Sequence, residues 1–233
     1  LPAESAHVIA LKSLKWLQRW HLLKSVPQDP GCGFSYQGLR FKNRIGLAAG
    51  LDKNGDYIDA LGALGFGAIE IGTLTPKPQK GNPKPRLFRI PKYQALVNAM
   101  GFNNKGIDYG IKQLQKTSYS GVIGLNIGKN KDTPLENAID DYQHCLGKAY
   151  PYADYITVNI SSPNTKGLRD LQQDHYLEQL LKMLKSQQKQ LCAKYDAYKN
   201  IFIKIAPDLS DAEIKSITAQ LNKHQIDGVI ISN

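Results

Sequence analysis

Lysine and asparagine side chains recur directly after short apolar runs of this sequence. The runs end in Asp52 and Lys53, in Asn126, in Asn159 and in Lys204. Asparagine carries both hydrogen-bond donors and acceptors, and a lysine near a ligand carries positive charge. If these side chains meet in the folded chain, they would suit a ligand with amide groups and negative charge.

A serine is the candidate for moving a proton. Ser162 lies in the segment NISSPNT, residues 159–165, and no histidine is near it in the sequence. In isolation Ser162 would be interpreted as an ordinary loop hydroxyl. If it is a base, general-base catalysis would contribute roughly 10²–10⁴-fold, and orientation and electrostatics would have to supply the rest.

Charge and cysteine content restrict the classes of function. The net charge is +10, which suits nucleic acid, an anionic membrane surface or an anionic small ligand. Basic residues are scattered and are not interleaved with aromatics, so nucleic acid is not expected. The three cysteines have no metal-like spacing, so we expect reduced thiols and no metal site.

Short apolar strands alternate with helices along most of the chain, which predicts a parallel sheet. Strands are predicted at 45–49, 68–71, 122–127, 155–160, 201–205 and 228–232. Helices are predicted at about 55–64, 104–116, 135–149, 174–195 and 211–223. An open doubly wound sheet lacks support because no dinucleotide-binding glycine motif opens a helix. Polar residues at the strand ends favour an α/β fold of the (β/α)₈ TIM barrel type, incomplete here with about six strands.

Three further segments surround the predicted barrel. Residues 5–24 predict an amphipathic helix, on which Trp16 and Trp20 share an apolar stripe beside a basic face. That helix could cap the domain or lie in a membrane interface. Residues 34–41 predict a small β-hairpin. Residues 73–102 are rich in proline and predict an active-site loop without secondary structure.

Six motifs, in order and at characteristic spacing, resemble the dihydroorotate dehydrogenase family. They are AAGLDK (48–53), EIGT (70–73), NAMGFNN (98–104), NIGKN (126–130), NISSPNT (159–165) and KIAPD (204–208). The serine at 162, where the soluble class has cysteine, and the N-terminal helix resemble the quinone-dependent, membrane-associated class (class 2). The resemblance covers essentially the whole chain.

The resemblance implies an oxidoreductase that oxidises dihydroorotate to orotate in de novo pyrimidine (UMP) biosynthesis. FMN would accept the hydride and a quinone would be the final electron acceptor. The partners implied are dihydroorotate and orotate, a quinone, and an anionic membrane surface that binds the N-terminal helix, with no nucleic acid. The implied location is peripheral, on the cytoplasmic face of a bacterial inner membrane, or on the mitochondrial inner membrane in a eukaryote.

The resemblance also assigns residues. Ser162 would be the catalytic base. Substrate would be bound by Lys53, Asn98, Ala99, Met100, Gly101, Phe102, Asn159, Asn164 and Asn233. FMN would be bound by Ala49, Gly50, Lys53, Thr73, Asn126, Asn159, Lys204 and Ser232. His7 and Arg89 would lie on the quinone side.

Two regions are expected, and two alternatives stay open. Residues 1–30 would form the amphipathic helical membrane and quinone-tunnel region, and 31–233 the incomplete barrel that binds flavin and substrate. Because the sequence stops at the sixth strand and the family binds the flavin phosphate beyond it, we expect a C-terminally truncated chain. One alternative is therefore an inactive barrel fragment. The other is a flavin barrel that reduces pyrimidines in tRNA, although its cysteine acid is missing.

Overall fold

A computed structural model describes residues 1–23, 30–165 and 167–232. The helices are α1 (Ala3–Arg19), α2 (Ile58–Gly62), α3 (Ile107–Leu114), α4 (Ala138–Ala149), α5 (Asp174–Tyr195) and α6 (Asp211–Lys223). The strands are β1 (Phe34–Tyr36), β2 (Leu39–Phe41), β3 (Gly46–Leu47), β4 (Ala68–Leu74), β5 (Leu87–Ile90), β6 (Ala95–Asn98), β7 (Val122–Ile127), β8 (Tyr155–Asn159), β9 (Asn200–Lys204) and β10 (Gly228–Ile230). Asn233, a predicted substrate ligand, lies outside the described residues.

Six strands form one parallel sheet in the order β10-β9-β8-β7-β4-β3. Strands of this sheet that are consecutive along the chain are also neighbours in the sheet, and helices join them. The sheet curls as part of a barrel. The prediction of an incomplete parallel α/β barrel is confirmed. This arrangement brings the carboxyl ends of all six strands to one rim, where barrel enzymes hold their catalytic groups.

The two faces of the sheet differ in chemistry because side chains alternate along each strand. One face is aliphatic, packs under the helices and is almost fully excluded from water. It includes Ile69, Ile71, Leu125, Ile127, Ile156, Val158, Ile201 and Ile203. The other face lines the barrel interior and carries the polar side chains. Because the aliphatic side chains of each strand pack under the helices, the alternating polar side chains point into the barrel interior.

The amino end of the barrel interior is filled by aromatic and apolar side chains. Tyr155 and Phe202 contact each other there with ring centroids 5.1 Å apart, and the β1–β2 hairpin packs against them. The Tyr36 ring lies 6.3 Å from that of Phe202. Asn200 Nδ2 donates to the Gln37 carbonyl at 2.9 Å. With this end closed by the predicted hairpin, the site can lie only towards the carboxyl rim.

The sequence boundaries of several elements were correct and others were not. The predicted helices at 174–195 and 211–223 match α5 and α6, and a capping box of Ser210 and Glu213 begins α6. The prediction that 73–102 lacks secondary structure is wrong, because β5 and β6 form an antiparallel hairpin inside it. The alternation of apolar and polar residues that is typical of a strand was not visible in this segment, because prolines flank the strands and neither face of the hairpin is clearly polar.

Helix α1 is shorter than predicted and faces the protein with a different side. Leu11 is its buried residue, whereas Trp16 and Trp20 are 56% and 62% exposed. The tryptophan stripe is therefore not the surface that packs on the barrel. No helix within the described ranges combines the length and the apolar character needed to cross a bilayer.

Candidate active site

Three predicted ligands meet at the carboxyl rim in one buried hydrogen-bond cluster. Thr73 Oγ1 donates to Asn126 Oδ1 at 2.6 Å. Asn159 Nδ2 donates to Thr73 Oγ1 at 3.1 Å and to Asn126 Oδ1 at 3.2 Å. Because these residues end β4, β7 and β8, the register of three neighbouring strands brings them together. Each side chain is less than a tenth exposed.

A carboxylate that sequence reasoning did not select lies beneath this cluster. Glu70 accepts from Asn126 Nδ2 and from Thr157 Oγ1, both at 2.8 Å. Tyr155 lies near Glu70, and burial together with that negative charge raises the pKa of Tyr155. The signal was available, since Glu70 and Thr157 are polar residues on the inward parity of otherwise apolar strands.

The loop after β3 is attached to β4 through the backbone. Gly50 N donates to the Gly72 carbonyl at 2.9 Å, and Gly72 N donates to the Asp52 carbonyl at 3.0 Å. The Asp52 carboxylate accepts from the backbone of Tyr57 at 2.7 Å, and burial raises its pKa. Ala49 and Gly50 are half-buried on this loop. Because Lys53 directly follows Asp52, the backbone that carries the Lys53 side chain is held in place by these hydrogen bonds.

Two lysines bring positive charge to this rim without an acidic partner. Burial and the nearby Arg86 lower the pKa of Lys53 to about 8. Lys204 is 7% exposed, and its Cα pairs in register with Asn159. Among the described residues, neither lysine forms an ion pair with a carboxylate. A buried cation without a counter-ion, such as Lys204, is uncommon in a structural role, so the rim suits an anionic ligand.

The candidate base lies in the loop that follows β8. Ser162 is 8% exposed, and its Oγ accepts from Asn164 N at 3.2 Å. Asn164 Nδ2 donates to both oxygens of Asn98, the carbonyl and the side chain, at 3.3 Å. Two of the predicted substrate ligands are thus in contact although 66 residues separate them.

The segment 98–102 is held by side chains of the preceding loop. Asn82 Nδ2 donates to the Ala99 carbonyl at 3.0 Å, and Asn82 N donates to the Met100 carbonyl at 3.1 Å. Gln79 Nε2 donates to the Gly101 carbonyl at 3.0 Å. These contacts hold the backbone of a segment whose own strand, β6, is exposed.

Phe102 adopts a backbone conformation that non-glycine residues seldom use. Its φ is +53°, and Asn104 Nδ2 donates to its carbonyl at 2.7 Å. The ring is buried, and a Cβ added at Gly128 would meet both this ring and Thr73. Strained backbone of this kind clusters at functional sites. Phe102 therefore lies at the same rim as the buried cluster.

The two residues predicted for the quinone side lie where α1 meets the barrel. Arg89 Nη1 donates to the Leu1 carbonyl at 2.9 Å, just before α1. His7 is half-buried, and burial and the positive charge of Lys53 lower its pKa. His7 is thus on the Lys53 side of α1. Ser232, at the other end of the chain, is partly exposed beyond β10 and beside β9.

Comparison with known proteins decides the family. The family model described as "Dihydroorotate dehydrogenase" matches residues 34–233. The chain belongs to the dihydroorotate dehydrogenase family. Proteins named dihydroorotate dehydrogenase (quinone) from Methylobacillus flagellatus and Nitrosomonas eutropha are 56% and 55% identical over 100% of this chain. These alignments cover 69% and 68% of those proteins.

A solved structure gives the same result at the level of fold. The crystal structure of DHODH from Eimeria tenella in complex with ferulenol has a TM-score of 0.89 and 37% identity, covering 99% of this chain and 66% of that one. This chain therefore spans about two thirds of its dihydroorotate dehydrogenase relatives, as expected from the sequence. The match favours that family over a flavin barrel that reduces tRNA. The ligand roles of individual residues stay predictions.

Proposed function

We propose that this chain forms the larger part of a quinone-linked dihydroorotate dehydrogenase that uses FMN. The observation that carries the proposal is the buried cluster of Thr73, Asn126 and Asn159 at one rim, with Lys204 in register beside Asn159 and outside every ion pair of the described residues. Lys53, on the loop attached to β4, would add a second positive charge. In this proposal residues 1–30 serve the membrane and quinone, and 31–233 bind flavin and substrate.

The residues present suit the isoalloxazine ring of FMN. Gly50 has φ +115°, and no atom lies within 4 Å of a Cβ built there, so the space beside its backbone is open. A flat ring could approach that backbone closely because glycine has no side chain. Lys204 would favour the negative charge that a reduced flavin carries. When bound, FMN supplies the acceptor for the hydride from C6 of dihydroorotate.

Substrate would be bound by the two loops that meet through Asn98 and Asn164. Both amides can donate and accept, which matches the ring amides of dihydroorotate. Lys53 would supply positive charge for the carboxylate. Phe102, at the same rim, would exclude water from the substrate as part of a lid. Each of these groups is attached to a strand or to a hydrogen-bonded loop, so binding orders few additional residues.

Ser162 would take the proton from C5 as its own hydroxyl proton passes to solvent water, so that the hydroxyl is restored. The Asn164 N–H that donates to its Oγ stabilises the negative charge that develops on that oxygen when its own proton leaves. The remaining acceleration comes from orientation, because the loop is fixed to Asn98 and to the buried cluster.

The acceptor side is proposed to lie under α1. The half-buried His7 and the exposed Arg89, which bonds to the Leu1 carbonyl, flank the start of this helix. Trp16 and Trp20 are exposed on its outer side, near basic residues. Such a surface suits an amphipathic helix lying in the interface of an anionic membrane, where quinones are dissolved. Peripheral attachment at the cytoplasmic face, or at the mitochondrial inner membrane in a eukaryote, follows from that proposal.

Substitution of Ser162 by alanine tests the proposed function. In the complete FMN-loaded enzyme, Ser162→Ala is expected to lower the rate of dihydroorotate oxidation by roughly 10²–10⁴-fold while FMN content stays unchanged. Stopped-flow reduction of the bound flavin measures this step without quinone. Ser120→Ala, at an exposed serine that accepts from Lys42 at 3.2 Å, is the matched control. Normal flavin reduction in Ser162→Ala would remove Ser162 from the mechanism, and failure of the wild type to oxidise dihydroorotate would refute the function.

A further inference from the structure

Glu70 occupies an unusual position for a carboxylate. It is 5% exposed, it points into the barrel interior, and among the described residues it forms no ion pair with a lysine or arginine. Its oxygens instead accept from Asn126 Nδ2 and Thr157 Oγ1. Apolar residues would fill a barrel interior at lower cost, since a buried charge without a cation is expensive. The cost suggests a role beyond packing.

The carboxylate determines how the amide of Asn126 is oriented. A carboxylate only accepts hydrogen bonds, so Asn126 must turn its Nδ2 towards Glu70, where the distance is 2.8 Å. The Oδ1 of Asn126 then points the other way and accepts from Thr73 and Asn159. If the amide were reversed, two oxygens would face each other on one side and unpaired N–H groups would meet on the other.

The same constraint passes to Asn159 and to the serine loop. Thr73 donates its only hydroxyl proton to Asn126, so it can only accept from Asn159 Nδ2. Asn159 Oδ1 is therefore turned to the loop, where it accepts from Ser161 N at 3.1 Å and Ser161 Oγ at 2.9 Å. Every donor in this series points away from the serine loop and towards Glu70. One fixed acceptor thus orders two amides, one hydroxyl and the residue before Ser162.

The series leaves little hydrogen-bonding capacity unused. Both N–H groups and both lone pairs of the Asn159 amide are occupied, whereas one N–H of Asn126 and one lone pair of Thr73 remain. A ligand at the rim would therefore meet a defined donor beside a defined acceptor. Such a pair discriminates between ring edges only if the amides cannot flip.

We propose that Glu70 is a positioning residue for dihydroorotate oxidation, because its carboxylate fixes the amide face that Asn126 presents at the rim and, through Asn126, the orientation of the Asn159 amide that holds the serine loop. The inference rests on the proposed function and deepens it. Glu70 touches neither flavin nor substrate and acts through Asn126. Its contribution is orientation, so an uncharged acceptor of the same shape would preserve it.

Two substitutions in the complete FMN-loaded enzyme separate acceptor geometry from charge. Glu70→Gln keeps an oxygen for Asn126 and can donate its new N–H group to the Thr157 or Tyr155 hydroxyl. Glu70→Leu keeps the volume but removes the acceptor. We expect Glu70→Gln to retain FMN affinity and kcat within about threefold. Glu70→Leu is expected to lose about 10²-fold in kcat/KM, since small misplacements cost this much, and to bind FMN about tenfold more weakly with a changed flavin absorption spectrum.

Controls distinguish positioning from general damage to the fold. Asp227 accepts from Ile201 N and Gln188 Nε2 at the opposite end of the sheet, at 2.8 and 2.9 Å. Asp227→Leu should lower Tm while the FMN spectrum and affinity stay normal.

Wild-type FMN affinity and kcat/KM in Glu70→Leu would overturn the proposal, as would equal losses in Glu70→Gln and Glu70→Leu. If Glu70→Leu fails to fold, Thr157→Val removes one donor to Glu70 and should weaken FMN binding about threefold; unchanged binding would also overturn it. The wild type's own activity tests the proposed function separately.

Discussion

At the scale of single residues, Lys53 has the most strongly perturbed charge at the rim. Burial, together with repulsion from Arg86, lowers its pKa to about 8, and the attraction of Glu4 only partly opposes this. The folded protein therefore binds fewer protons than the unfolded chain between about pH 8 and the usual lysine pKa. Stability consequently rises with pH across that window, because the neutral amine costs less to bury.

Substrate binding should have the opposite dependence on pH. Only protonated Lys53 attracts the carboxylate of dihydroorotate, so KM is expected to rise roughly tenfold between pH 8 and 9.5 as the lysine loses its proton. Steady-state kinetics across this range, with a quinone or a dye as acceptor, measures the effect. Lys53→Met should have a high KM at every pH. A KM for wild type that is independent of pH would show that Lys53 does not contact the substrate carboxylate.

At the scale of elements, Glu4 joins α1 to the active-site loops through ion pairs with Arg86 and with the exposed Lys84. Arg86 is 6% exposed and donates to both oxygens of Glu4 at 3.3 and 2.8 Å, and hydrogen bonds from Arg86 lower the pKa of Glu4. Arg86 also donates to the carbonyls of Lys80 and Asn82. Since Asn82 bonds to Ala99 and Asn164, α1 is connected to the substrate loops by few steps.

Loss of the Glu4 charge should loosen this connection. In Glu4→Gln the buried guanidinium of Arg86 loses the carboxylate with which it pairs. We therefore expect the free energy of unfolding to fall by about 1–3 kcal/mol. KM for quinone should rise more than KM for a dye acceptor, because α1 carries the quinone-side residues. Glu178→Gln, at a surface carboxylate paired with Lys182 and Lys223, is the control and should change neither quantity. Equal changes for quinone and dye would argue against a quinone role for α1.

At the scale of the whole molecule, two exposed apolar regions among the described residues differ in character. Trp16 and Trp20 form one on α1, with ring centroids 6.1 Å apart. Phe88, Val97 and Ile90 form another on one face of the β5–β6 hairpin. The first is accompanied by Lys12, Lys15 and Arg19 on the same helix, and the second by Arg89 and Lys92 of the hairpin. The pair of tryptophan rings, rather than charge alone, therefore distinguishes the proposed membrane surface from the hairpin face.

Removal of the two tryptophan rings should release the protein from anionic membranes. The double variant Trp16→Ser and Trp20→Ser is expected to bind vesicles of mixed neutral and anionic phospholipid at least tenfold more weakly in sedimentation assays, with dye-linked activity retained. Phe88→Ser is the matched control for an exposed aromatic residue. Binding that persists in the double variant would place the membrane surface elsewhere.

The sequence by itself determined the order of elements, the parallel barrel and the family. Helices α5 and α6 were predicted to the residue because capping and periodicity are local properties, and burial of one aliphatic strand face follows from composition alone. Six motifs in register identified the family before any contact was known. The β5–β6 hairpin was missed because prolines flank its strands and neither face is clearly polar, so the alternation typical of a strand was not visible.

Only the tertiary structure decided which polar residues act together. Glu70 and Thr157 belong to the rim cluster because register between strands sets the height of each inward side chain, and register depends on pairings across β4, β7 and β8. The contact between Asn98 and Asn164 likewise joins loops far apart in sequence. The tertiary structure also showed that the tryptophan stripe of α1 is exposed to solvent. An amphipathic sequence identifies an apolar face of a helix but does not determine what that face contacts.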